Sequence, residues 1–163
     1  MVALSKLAIY LNDHHAASVG AVQLAGRAAQ SNRGTPSGEV LAALASEIEE
    51  DRQALRLIMQ RLGIRVDPAK AALAWGAEKF GRFKLNGQLT GYSPLSRLEE
   101  LEILALGVEG KLAMWQALRH AAVPGVPEAE LEPLIKRARS QRLRLERHRL
   151  DAAVEALGSA GST

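Results

Sequence analysis

The side chains of this chain that could do chemistry are imidazoles and carboxylates at positions where a helical core normally holds an aliphatic residue. Apolar residues recur every three or four positions along four long segments, and polar residues interrupt these stripes near the middle of each segment. Glu47 and Asp51 are four residues apart, which places them one turn apart on one helix face. The candidate site residues are His14, Glu47, Asp51, Glu102 and His148.

These donors are the types that hold a hard or borderline metal ion. The chain has no cysteine, which excludes thiolate sites, iron–sulfur clusters and disulfides. Carboxylate oxygens and imidazole nitrogens from facing helices form sites for iron, manganese or zinc. The sequence therefore predicts a metal site in the middle of the bundle. Because buried charges need partners, a buried polar network and a solvated charged face stay open as alternatives.

A run of basic residues occupies the last helical segment. Its members are two and three residues apart, so they surround the helix instead of forming the narrow track that a phosphate backbone needs. The pattern disfavours nucleic acid as a partner and predicts pairing with the acidic runs of the second and third segments. The run comprises Lys136, Arg137, Arg139, Arg142, Arg144, Arg147 and Arg149.

No catalytic residue can be named from a motif. The chain has neither a Gly-rich phosphate loop after a strand nor a Gly-x-Ser-x-Gly turn. Nucleophilic hydrolysis therefore has no support, no organic cofactor is predicted, and the sequence leaves open whether the chain is an enzyme.

Composition predicts one folded domain. The chain has 163 residues, of which 47% are hydrophobic and 24% charged, with a net charge of +3. We expect a single helical domain over residues 1–157 and a flexible tail over residues 158–163. The N-terminal stretch Met1 to Asn12 carries Lys6 and has no long apolar run. It therefore predicts neither a secretion signal nor a membrane span. We expect a cytoplasmic location and no membrane partner.

Start and stop signals delimit four long helices. The first is predicted over Leu4–Ala29, and the second runs from Pro36 to Leu62, where Gly63 ends it. The third begins after the Ser93 cap and ends near His120. The fourth runs to about Leu157, with Pro133 either at its start or kinking its first turns.

The segment between the second and third helices is predicted to pack on the bundle. A short helix should run from Pro68 to about Phe80, and the aromatic residues that need burial here are Trp75, Phe80, Phe83 and Tyr92. Short loops make the flanking helix pairs antiparallel, whereas this crossover of roughly 30 residues returns the third helix in the direction of the second. The predicted fold is an all-α, antiparallel four-helix bundle with one long crossover.

Several segments carry a family resemblance. They are Tyr10-Leu-Asn-Asp-His14, Ile48-Glu-Glu-Asp51, Lys84-Leu-Asn-Gly87, Gly91-Tyr-Ser-Pro-Leu-Ser-Arg-Leu98 and Gly107-Val-Glu-Gly-Lys111. With them the chain resembles the ferritin-like superfamily, and within it a bacterial family of ferritin-like proteins without an assigned reaction. By position, the resemblance implies His14, Glu47, Glu102 and His148 as metal ligands.

The chain departs from the di-iron pattern of that superfamily. Its catalytic members carry Glu-x-x-His on two helices, whereas Glu50 stands where the second helix would need histidine. On the fourth helix Glu146 and His148 are two residues apart, about 200° around the helix, so both cannot point inward. A mononuclear or degenerate site is therefore expected in place of a dinuclear one.

The sequence supports a ranked set of functions. The leading prediction is a ferritin-like protein associated with a metal ion, and the alternative is a structural or protein-interaction module that forms a helical homo-oligomer. An enzyme similar to di-iron hydroxylases ranks third.

Overall fold

The computed structural model describes residues 2–70, 72 and 91–158, with side chains from residue 6 onward. Within these residues the chain is all-helical and has no strand. Its long helices are α1 (Val2–Ser31), α2 (Pro36–Arg61), α3 (Pro94–His120) and α4 (Glu128–Leu157). Residues 68–70 and 72 are also helical. None of the described helices is long and apolar enough to cross a membrane.

The predicted helix starts of α2 and α3 are confirmed. The Thr35 hydroxyl accepts the Gly38 N–H at 3.0 Å, and the Ser93 hydroxyl accepts the Ser96 N–H at 3.1 Å. A proline follows each cap, where its missing N–H costs no hydrogen bond. At the other end of α2, Gly63 takes φ +69°, a left-handed conformation that glycine adopts without strain.

Helix α4 begins at Glu128, ahead of Pro133, which lies inside it. The first turn holds because Leu131 is fully buried and the Glu130 N–H bonds the Pro127 carbonyl at 3.0 Å. Arg61 of α2 also pairs with Glu130 at 2.6 Å. Packing on both sides of the proline therefore extends the regular helix upstream of it.

Ion pairs fix the relative directions of α2, α3 and α4. When two neighbouring helices are antiparallel, the numbers of the paired residues rise along one helix as they fall along the other. The α3–α4 pairs include Arg97–Glu155 and Glu109–Arg142. The α2–α4 pairs include Arg61–Glu130 and Glu47–Arg144. Consequently α2 and α3 run in the same direction, joined by residues 62–93.

The helices pack as two pairs, α1 with α2 and α3 with α4, and α1 also packs on α3. Two apolar clusters form the core. One surrounds Trp115 and Ile58, and the other surrounds Leu44 and Leu101. Along α2, α3 and α4, a polar residue separates the two clusters. These residues are Asp51, Lys111 and Gln141.

Part of the predicted crossover lies outside the described residues, including Trp75, Phe80, Phe83 and most of the short helix after Pro68. Tyr92, at the end of this segment, is 41% exposed and accepts a hydrogen bond from Asn32 Nδ2 at 2.9 Å. Partial burial raises the pKa of the Tyr92 hydroxyl to about 12. The predicted tail also lies outside the described residues, except for Gly158.

Candidate functional site

Asp51 is the centre of a buried polar cluster. It lies on α2 between the core residues Ile48 and Leu55, and its side chain is 1% exposed. Its Oδ1 accepts from Arg137 Nε at 2.7 Å, and its Oδ2 accepts from Gln141 Nε2 at 3.1 Å and from Lys111 Nζ. Two cations and an amide therefore compensate one carboxylate that has left water.

Lys111 reaches this carboxylate from α3. Its ammonium group also donates to Gln141 Oε1 at 2.6 Å, so Gln141 bridges the lysine and the carboxylate. Burial lowers the pKa of the Lys111 amine, and the neighbouring Asp51 carboxylate opposes that shift. An ammonium has three donors, and these two acceptors use two of them.

Glu47 and Arg144 extend the cluster toward the surface. Glu47 Oε2 accepts from Gln141 Nε2 at 3.1 Å and from an Arg144 guanidinium nitrogen. Burial alone would raise the pKa of Glu47, but the hydrogen bonds from Arg144 and Gln141 outweigh it, so the pKa is lowered. The polar cluster therefore consists of Glu47, Asp51, Lys111, Arg137, Gln141 and Arg144. Arg137 also pairs with the exposed Glu50 at 2.8 Å, which balances the three positive charges with three negative ones.

The other predicted ligands lie apart from this cluster or face other partners. His14 on α1 is half-buried with its ring against Tyr10, at a centroid distance of 4.7 Å. His148 Nδ1 lies 3.1 Å from the Ser37 hydroxyl. The Glu102 side chain is 48% exposed and pairs with Arg149 at 3.5 Å.

The predicted metal ligands are not gathered at one point within the described residues. In the described part of the chain, no three His, Asp or Glu side chains are arranged to hold one ion. A cation placed against Asp51 would also meet Lys111 and Arg137, which already contact both carboxylate oxygens. The five predicted ligands thus form no single donor set here, and the metal site stays a prediction.

A cavity of about 220 Å³ lies beside the polar cluster, between α1, α2 and α3. Its walls are mainly apolar and include Ile48, Leu55, Leu104, Val108 and Met114. The ionisable side chains on its wall are His14, Asp51, Arg52 and Lys111. The cavity thus combines apolar walls with one face of the charged cluster.

Small residues leave this space open. Helix α1 contributes Ala17, Ser18 and Ala21 to the wall, and α3 contributes Gly107 and Gly110. A Cβ atom built on either glycine meets no atom within 4 Å. Small residues on facing helices usually permit close packing, but here the helices stay far enough apart to leave a cavity.

Trp115 lines the cavity and carries a buried donor. Its side chain is fully buried, and its Nε1–H has no hydrogen-bond partner among the described residues. A buried donor without an acceptor costs about 1–3 kcal/mol.

Sequence reasoning missed Lys111 and Trp115 as site residues. Both continue the inward stripe of Leu104 and Val108, so the spacing itself carried the signal. The pairing of the basic run is confirmed, since Arg137 and Arg144 reach α2 while Arg142 and Arg149 reach α3.

Comparison of the chain with protein-family models, with curated proteins and with solved structures finds no match. The resemblance to the ferritin-like superfamily therefore stays a prediction.

Proposed function

We propose that this chain is a ferritin-like bundle that binds a small apolar carboxylate in the cavity between α1, α2 and α3. Helices α2 and α3 run in the same direction across a long connection, while short connections join the two packed helix pairs, which supports ferritin-like connectivity. The observation that carries the function is an apolar cavity lined by Trp115, whose buried Nε1–H has no partner among the described residues.

The cavity size sets the size of the ligand. A dry cavity of about 150 Å³ holds one benzene molecule. The cavity of about 220 Å³ found here therefore suits a molecule of roughly six to ten non-hydrogen atoms. Its apolar walls favour an aliphatic chain or a single ring, because burial of such a group gains about 25 cal/mol per Å².

The hydrogen-bond donors of the wall set the polar group of the ligand. Lys111 retains a donor beyond those used by Asp51 and Gln141. Together with the Trp115 Nε1–H, this donor favours an anionic acceptor over a cation. A monocarboxylate satisfies both donors at the cost of one additional buried charge.

The test is calorimetric titration with hexanoate, with hexylammonium as the charge-reversed probe of equal length. We expect hexanoate to bind and hexylammonium not to bind. Gly110→Leu should abolish binding because a side chain there fills the cavity, whereas Ala113→Leu, on the exposed side of the same helix, should not. Absence of heat with hexanoate and also with benzoate contradicts the proposal.

A second variant examines the free donor. Trp115→Phe keeps an aromatic ring and removes the N–H, so hexanoate affinity should fall about tenfold or more. A neutral ligand such as hexane should lose far less affinity, because it has no acceptor to offer. Equal losses for the two ligands would mean that Trp115 contributes packing alone.

A further inference from the structure

Helix α4 has an apolar stripe on the side that faces away from the core. Leu143, Leu150, Val154 and Leu157 are between 51% and 72% exposed. The core residues of the same helix include Leu145 and Ala152, each two positions beyond a stripe residue and thus about 200° around the helix. The stripe is therefore unpartnered within the described chain.

The spacing of the stripe is that of a helix–helix seam. Its members are separated by seven, four and three residues, which is the heptad spacing of two helices that pack along their length. Arg147 occupies the position between Leu143 and Leu150 on this face. Scattered exposed leucines are ordinary on a protein surface, whereas apolar residues that recur with this spacing along one helix face mark an interaction site.

Two charged residues on the same face of α4 indicate which helix covers the stripe. Arg147 and Asp151 are exposed and lie one turn apart, and neither has an ion-pair partner within the described residues. A second copy of α4 packed antiparallel, with a two-fold axis near residue 149, places each Arg147 opposite the Asp151 of the other copy. A parallel copy would place Arg147 opposite Arg147, which is repulsive.

We propose that α4 is the dimer interface of this protein and that it packs antiparallel against α4 of a second copy. The same patch then serves both subunits, as a two-fold interface requires. In this arrangement Leu143 of one copy contacts Val154 of the other, and the two Leu150 side chains lie near the axis.

Sedimentation velocity over a range of concentrations tests the dimer. We expect a monomer–dimer equilibrium in the wild-type chain, and a monomer for Leu150→Glu, which brings two like charges near the axis. Leu57→Glu is the matched control, since Leu57 is 59% exposed on α2 and lies away from the stripe. Circular dichroism should show the same helix content for both variants, because neither leucine is buried. A wild-type monomer at every concentration, or a dimer unaffected by Leu150→Glu, overturns the proposal.

A charge exchange tests the orientation. Asp151→Arg should weaken the dimer about tenfold or more, because it places two arginines together at both ends of the contact. Adding Arg147→Asp should restore it. Failure of the double variant to recover association overturns the antiparallel register.

Cysteine cross-linking gives an independent measure of direction, since the chain has no cysteine of its own. A mixture of L143C and V154C chains should form a mixed disulfide dimer on mild oxidation, and each variant alone should form little. The reverse result, with disulfides between identical variants and none in the mixture, would show a parallel pair and overturn the proposal.

Discussion

Two regions of the molecule join helices through the same side-chain types but in different surroundings. At the α3–α4 surface, Arg142 pairs with Glu109, and each side chain is at least half exposed. In the interior, Asp51 is 1% exposed and meets Lys111 and Arg137. The surface pair gains little net free energy over contact with water, whereas Asp51 has lost its water almost completely and depends on its protein partners.

The contrast shows that burial, more than the number of ion pairs, decides what each charged residue does. Either side chain of the surface pair can lose its partner and contact water instead. By contrast, Asp51 of α2 can lie in the core only while α3 and α4 both present their donors to it. We infer that the polar cluster fixes the register of these three helices, because a shift of one turn would leave a charge unpaired.

The largest expected effect comes from Asp51→Ala. The change leaves Lys111, which is 15% exposed, without its carboxylate, whereas Arg137 keeps its pair with Glu50. The free energy of unfolding should therefore fall by about 3–5 kcal/mol. Urea denaturation followed by circular dichroism measures this loss. Glu109→Ala is the control, since its guanidinium partner regains water. A loss below about 1 kcal/mol for Asp51→Ala would mean that the cluster is solvated in solution.

The fold was largely predictable from the sequence. The caps at Thr35 and Ser93 are local signals, and the inward stripe of α2 is visible in its spacing, so both were predicted correctly. The start of α4 was predicted less well, because Pro133 is a local stop signal. Burial of Leu131 overrides that signal through a tertiary contact that no local pattern shows.

The site was predictable only in part. The sequence placed Asp51 inside the bundle, and it is there. It could not select the partner of Asp51, because the donors come from α3 and α4, which are distant along the chain. Lys111 was overlooked as an inward residue because lysine is rarely buried without an anion. The cavity depends on the distance between α1 and α3, which small residues permit but do not determine.

Lys111→Met should lower the free energy of unfolding less than Asp51→Ala does. Methionine fills a similar volume, and Asp51 keeps Arg137 and Gln141, so we expect a loss of about 1–3 kcal/mol.

The variant also bears on the pH dependence of stability, because the lowered pKa of Lys111 means that the folded state disfavours its charged form. Stability of the wild type should therefore gain a contribution as pH rises toward 10.5, the ordinary value. Lys111→Met should lack that gain when both chains are unfolded in urea at alkaline pH.

The histidines of α1 should lower the stability of the folded chain as the pH becomes acidic. Burial lowers the pKa of His15, and Arg52 and Arg56 lower it further; burial also lowers the pKa of His14. The unfolded chain therefore binds protons near pH 6.5 that the folded chain does not, and stability should fall as pH drops below that value. Replacing His15 by glutamine should flatten the profile between pH 7 and pH 5. An unchanged slope between pH 7 and pH 5 would show that His15 stays neutral or is solvated in both states.

The smallest effect belongs to the surface pair itself. Glu109→Ala and Arg142→Ala, alone and together, form a double-mutant cycle across α3 and α4. Because both side chains are at least half exposed, the coupling energy should be about 0.5 kcal/mol or less and should decline further in high salt. The same cycle with Asp51 and Arg137 should give a coupling several times larger that salt changes little, since that pair is shielded from water. Equal couplings in the two cycles would mean that burial does not separate the two regions, and the register-setting role of Asp51 would then have no energetic basis.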